Sequence, residues 1–379
     1  MILTNAKVVT HDDVFLGTVE INEAGLIQSV SEGISTLPQA MNLEGDWLVP
    51  GLVEIHTDNL EKHLMPRPGV LWNGESAFRI HDAQLACSGI TTAFDGVVIG
   101  DIEANTPRGR FLEISLAAIR ALADSPMTRC EHLLHLRCEL ANHDVWDHYT
   151  SLVDDPRVQL ISLMDHTPGQ RQWRDLGKYR EYTERHGRLT DEAFEALMAD
   201  RISAQAEHAE RQRQRLVADA RARGLPLASH DDTSTEHVCQ AHEEGIVISE
   251  FPTTVEAAQT AHRLGLKTVM GAPNVVKGGS HSGNVAAMTL AELKLLDALS
   301  SDYVPASLLD AAFLLQDDTD LTLPEAIRTV TSAPAHMVGL TDRGQIAPGL
   351  RADLVWVHRP GRAQGACVRA AWRAGERVA

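Results

Sequence analysis

The chain has 379 residues, 44% hydrophobic and 23% charged, which supplies a large apolar core and rules out a disordered polyelectrolyte. Its 34 Lys and Arg against 52 Asp and Glu leave a formal charge of −18. That balance argues against nucleic acid or an anionic membrane surface as partner, because both reward a basic face. The length suits roughly two to three domains, or one α/β barrel with an attachment.

The N-terminal stretch MILTNAKVVTHDD has no basic segment leading into an apolar core, so it does not read as a signal peptide. No apolar run reaches the ~18–20 residues of a membrane helix. Cys87, Cys130, Cys138, Cys239 and Cys367 are odd in number and scattered, with no CxxC. A reduced, cytoplasmic protein is expected.

Residues 1–49 alternate as short strands, ILTNAKVVT, FLGTVEIN and LIQSVSEG, with a turn at Glu23-Ala24-Gly25. The last ~40 residues look alike, which predicts one small β domain built from both termini. Between them, eight β-rich runs alternate with helical stretches: 48–58, 89–99, 132–140, 158–166, 225–232, 245–252, 266–274 and 299–305. The clearest helix covers 190–223, with Thr190 as N-cap, Asp191 and Glu192 in the first turn and Gly224 after its end. The alternation predicts an α/β fold, a (β/α)8 TIM-like barrel. An open doubly wound sheet is the competing topology. Polar residues at nearly every strand's C-terminal end favour the barrel, since barrel sites assemble there.

The chemistry begins in Val49-Pro50-Gly51-Leu52-Val53-Glu54-Ile55-His56-Thr57-Asp58. Strand residues two apart point the same way, so His56 and Asp58 should share the barrel rim. Glu139, Asp165, His166, His230, Asp231, Asp232, Glu250 and Asp302 fall at later strand ends. Packed in one ring, such groups are costly without a cation. Of Asp231 and Asp232, one is expected to be a solvated or N-cap carboxylate. Cys138 reads as a small buried hydrophobe.

VPGLVEIHTD and the later GQIAPGLRADLVWV resemble the amidohydrolase superfamily over essentially the whole chain. The resemblance implies a metal-dependent barrel, residues 50–334, flanked by a β-sandwich of residues 1–49 and 335–379. It implies a metal set of His56, Asp58, Glu139, His166, His230 and Asp302, with Glu139 as possible bridge and Asp302 as general base. The chain departs from the superfamily's usual His-x-His at Asp58, lacks an obvious bridging Lys, and ends its sixth strand without a His.

HTDNLEKHLMPRPGVLW, HLRCEL, LMDHTPGQRQW, SHDDTSTEH, GAPNVVKGGSHSGN and SDYVPASLL resemble, more narrowly, the α-D-ribose 1-methylphosphonate 5-triphosphate diphosphatase family of the carbon–phosphorus lyase pathway. That resemblance implies hydrolysis of a ribosyl triphosphate to the 5-phosphate and pyrophosphate. The segment 274–284 suits such a substrate. Its glycines let backbone N–H groups approach phosphate, Lys277 adds charge, and Asn274, Ser280, His281 and Asn284 offer hydrogen bonds. Lys62, His63 and Arg67 after the first strand, and Arg171 with Arg174 after the fourth, are further phosphate candidates.

One or two divalent ions are expected, with Zn²⁺, Mn²⁺ and Mg²⁺ all compatible with mixed imidazole and carboxylate ligands. The resemblance implies a small-molecule phosphonate ribosyl triphosphate as partner, and a homo-oligomer is compatible with the sequence. The rival readings are a cyclic-amide hydrolase or deaminase on the same barrel, or a non-catalytic scaffold.

Overall fold

A computed structural model describes the chain outside residues 68, 101–107, 185–187 and 281–282. The termini supply β1 (Ile2–Val9), β2 (Val14–Ile21), β3 (Ile27–Glu32), β4 (Met41–Asn42) and β5 (Trp47–Pro50). The barrel supplies β6 (Leu52–Thr57), β7 (Ile90–Ile99), β8 (Glu131–Glu139), β9 (Val158–Met164), β10 (Leu227–His230), β11 (Ile248–Glu250), β12 (Lys267–Gly271) and β13 (Ala298–Ser300). The last strands are β14 (Leu354–His358), β15 (Cys367–Arg373) and β16 (Glu376–Arg377).

Both termini enter one hydrogen-bonded sheet in the order β16-β15-β14-β5-β1-β2-β3, with β4 beside β1. Strands β6 to β13 pair in sequence order, and every expected run in the middle of the chain overlaps one of them. A parallel bridge between Thr57 and Asp302 joins the first strand to the last. The (β/α)8 barrel therefore closes at its C-terminal rim rather than remaining an open sheet. Among the described residues, no helix is long and apolar enough to cross a membrane.

Alternation sorts the side chains. Leu134, Leu136 and Cys138 of β8 face outward into the cluster that packs the helices, while Val53, Ile55, Phe94, Leu160, Ala228, Ile248, Val269 and Ala298 fill the barrel interior. One irregularity matters for function. Glu54 pairs with Ala93 and Thr57 with Asp95, so β6 spends one more residue than β7 between those rungs. Such a bulge re-aims side chains; here it lets Ile55 join the core and still presents His56 to the rim. Gly51, where β5 passes into β6, has a packing reason: a Cβ there would lie 2.3 Å from Thr91 Oγ1 and 2.9 Å from Asp353 Cβ. The helix Asp191–Arg223 begins and ends where expected, with Thr190 Oγ1 accepting from the Ala193 amide and left-handed Gly224 after it.

Outside the barrel wall lies a buried ionic chain. His132 donates from Nδ1 to Asp95 Oδ2 at 2.8 Å and from Nε2 to Asp82 Oδ1 at 3.2 Å. Asp95 Oδ1 also takes His81 Nε2 at 2.7 Å, and His81 Nδ1 meets the Asn59 amide at 3.1 Å. The chain thus braces the residue that follows Asp58. Burial disfavours the His132 imidazolium, but Asp95 and Asp82 more than offset it and raise its pKa to about 9, from 6.5. His132 therefore stabilises the fold fully below pH 6.5 and loses that contribution as pH rises through about 9. The amount is on the order of 3 kcal/mol. Thermal denaturation of wild type and His132→Asn from about pH 6 to about pH 10 checks this: the variant is the less stable at the acid end, and the gap narrows above pH 9. A gap independent of pH contradicts a charged His132.

Candidate active site

The barrel mouth opens into a cavity of about 380 Å³. His56, Asp58, Glu139, His166, His230 and Asp302, the six residues expected to hold metal, all line it. Asp231 lines it as well.

The imidazoles are held from behind. Glu250, fully buried on β11, accepts from His56 Nδ1 at 3.1 Å with one oxygen and from His230 Nδ1 at 3.2 Å with the other. A proton on each Nδ1 leaves each Nε2 as a lone pair, the form a metal ion requires. The two rings stack with centroids 5.7 Å apart, and the Phe251 ring meets both edge-on, at 4.9 and 5.3 Å. His166 is gripped by Glu139, which accepts from its backbone N–H at 3.1 Å and from Nδ1 at 2.6 Å. The Asp231 Oδ2 atom lies 3.8 Å from His166 Nε2 and 3.6 Å from His230 Nε2.

Three lining residues take left-handed backbone at strand ends: Asp231 (φ 55°), Phe251 (φ 53°) and Asp302 (φ 53°). Aspartate tolerates this region; phenylalanine rarely does. Each is pinned by a ladder bond, Asp231 N–H to the Glu250 carbonyl, Phe251 N–H to Val269 and Asp302 N–H to His56. The turns aim two carboxylates and the Phe251 ring into the mouth.

The electrostatics are unbalanced. Burial, reinforced by Asp58, pushes Asp302 up to about 7, and burial pushes Asp231 up to about 7 against the pull of His166, Arg171 and Arg137. Burial drives the His56 and His230 imidazolium forms well below their usual range. Ionised carboxylates beside neutral imidazole nitrogens are the donor set of a divalent cation. The ligand atoms of His166, His230 and Asp231 already lie within 4.8 Å of one another. The residues present fit such an ion.

The phosphate candidates divide. Asn274, Lys277, Ser280 and Asn284 line the cavity; Lys62, His63, Arg67 and Arg171 do not. Lys62 turns to the Tyr303 carbonyl and lies 5.1 Å from that ring's centre. His63 pairs with Gln84 at 2.9 Å, and Arg67 is exposed. Arg171 is buried, donating to Asp232 at 2.8 Å and to the His230 carbonyl at 2.7 Å. It props the β10 end from outside the cavity. Asp232, with this ion pair and bonds from Ser229 and Ser249, is a buried structural carboxylate, neither solvated nor an N-cap. His281 lies outside the described residues. The stretch expected to be a phosphate loop starts as a short helix, Ala272–Lys277, ended by left-handed Gly278. Asn274 ties that helix to the start of the next one, Ala287–Glu292, accepting from the Ala287 amide at 2.9 Å.

Arg137, Arg201, Gln172, Trp173, Tyr179 and Tyr182 also line the cavity and were not singled out in the sequence. Arg137 carried a readable signal: it stands two residues before Glu139 on one strand, hence on the same face.

Comparison with known proteins agrees with this geometry. Residues 175–379 match the Amidohydrolase family. The chain is 47% identical, over 380 positions and 100% of both chains, to the α-D-ribose 1-methylphosphonate 5-triphosphate diphosphatase of Escherichia coli K12. Among solved structures it resembles a 5-methylcytosine deaminase from Klebsiella pneumoniae (TM-score 0.64, 15% identity, 100% of this chain and 98% of that one). It also resembles a dihydropyrimidinase from Brevibacillus agri (TM-score 0.63, 11% identity, 100% and 94%). At those identities the two structures speak for the fold alone. By the residues matched and by a relative that spans it end to end, the chain belongs to the amidohydrolase family.

Proposed function

We propose that this enzyme hydrolyses α-D-ribose 1-methylphosphonate 5-triphosphate to the 5-phosphate and pyrophosphate in phosphonate catabolism, with a divalent metal ion in the barrel mouth. The reading takes its substrate from the E. coli relative. One structural observation carries it: a single 380 Å³ cavity combines the acid–imidazole ring with Lys277, Arg201, Asn284 and Gly279. An amide substrate has no need of those cations, whereas a triphosphate in a chain of charge −18 does.

The ring of His56, Asp58, Glu139, His166, His230, Asp231 and Asp302 contains the residues that would hold metal. A bound divalent ion supplies Lewis acidity and lowers the pKa of a water from about 15.7 towards ~7. The chain's own groups do the rest. Asp302, aimed into the mouth by its left-handed turn, takes the proton of the attacking water. Lys277 and Arg201 grip the polyphosphate and stabilise charge on the departing pyrophosphate. Asn284 and Ser280 add hydrogen bonds that fix its register. Glu250 holds His56 and His230 in one tautomer.

Phosphorus NMR of the ribosyl triphosphate incubated with enzyme and Mn²⁺ or Zn²⁺ should show pyrophosphate and the 5-phosphate; turnover of cyclic amides or release of ammonia, without pyrophosphate, sinks the reading. Asp302→Asn should lower kcat about 10²- to 10⁴-fold with little change in KM. Lys277→Ala should mainly raise KM, by roughly 10- to 100-fold. The reverse pattern would exchange their roles. Glu250→Gln should weaken metal binding roughly 10- to 100-fold in chelator competition, and unchanged affinity would deny it the tautomer-setting role.

A further inference from the structure

The cavity's cations are not equivalent. Lys277 ends a short surface helix and Arg201 belongs to the long helix Asp191–Arg223, whereas Arg137 springs from barrel strand β8. Its guanidinium crosses β7 to reach the end of β6, where Nη1 lies 3.6 Å from Asp58 Oδ2. The crossing depends on Gly96 of β7. A Cβ there would stand 3.1 Å from Arg137 Cδ and 3.0 Å from the Thr57 carbonyl oxygen, tighter than ordinary contact. The Arg137 side chain is 11% exposed, and its Nε is buried without a hydrogen-bond partner.

This cation sits where the acids crowd. Arg137 lines the same cavity as Asp58, Asp231 and Asp302. A second divalent ion on Asp58 would sit against a guanidinium that cannot lose its charge. Glu139, His166, His230 and Asp231 form the other side of the ring, where imidazole and carboxylate ligands meet and, among the described residues, no lysine or arginine forms an ion pair with either carboxylate.

We infer that Arg137 is a built-in cation standing in for a second metal ion. The ring takes one divalent ion, on the side of Glu139, His166, His230 and Asp231, while Arg137 neutralises Asp58 and presents its guanidinium to a phosphoryl oxygen. The phosphoryl contact rests on the proposed triphosphate reaction; the ion count does not.

The test is a metal count. Metal-free protein is saturated with Zn²⁺, and separately with Mn²⁺, freed of excess ion by gel filtration and analysed by atomic emission. Wild type should retain one ion per chain, Arg137→Lys one, and Arg137→Met two, because the freed Asp58 then needs a cation. Two ions in wild type, or one in a folded Arg137→Met, overturns the inference. The wild-type count holds whether or not a variant folds. In the pyrophosphate assay Arg137→Met should lose at least 100-fold in kcat, with partial recovery in Arg137→Lys; unchanged kcat removes the phosphoryl contact. If wild type releases no pyrophosphate yet binds one ion, the proposed reaction fails and the role of Arg137 as stand-in cation survives.

Discussion

Charge compensation at the barrel mouth is the constraint on which the rest of the structure depends. Asp58, Glu139, Asp231 and Asp302 converge on one partly desolvated cavity. Carboxylates so placed repel and lose hydration, and the raised pKa values of Asp231 and Asp302 express that cost. The fold accepts the cost because backbone bonds impose the convergence. The β6 bulge turns His56 to the rim, the bridge from Thr57 to Asp302 closes the sheet, and three left-handed strand ends are each pinned by a ladder bond. Positive charge, from the chain or from a bound ion, then makes the arrangement stable in use.

The supporting residues follow from the same constraint. Glu250 sets two imidazoles with one carboxylate, and Glu139 sets a third. Phe251 packs edge-on against both stacked rings. Arg171 and Asp232 form an ion pair behind β10, while the His132–Asp95–His81 chain braces the segment after β6. Apart from Glu139 and Phe251, these groups are buried and do not line the cavity. They convert loose strand ends into fixed ligand positions, which binding and catalysis both need.

Much of this was legible in the sequence. The eight β-rich runs and the recurring acids and imidazoles at their ends mark a barrel and its rim, because strand periodicity and barrel closure are local rules applied many times. What escaped depends on direction beyond the strand. Arg171 and Lys62 follow site strands in sequence, yet turn to Asp232 and to the Tyr303 carbonyl. Nothing local distinguishes a cation that faces a cavity from one that props its wall. Residues 274–277 read as the start of a phosphate loop because glycines follow them, but they end the helix Ala272–Lys277, whose first turn suits proline and whose end suits glycine. Arg137 and His135 share the face of Glu139 by simple spacing, and Glu250 is a buried carboxylate whose role depends on two histidines distant in sequence.

The most direct test of the central claim is a crystal structure of the protein grown with Mn²⁺ or Zn²⁺, with the ion located by its anomalous scattering. The account predicts a peak in the barrel mouth, about 2.0–2.2 Å from His230 Nε2 and from a carboxylate oxygen of the ring. A fully loaded crystal with the mouth vacant, or with its ions bound only at the outer surface, would contradict it.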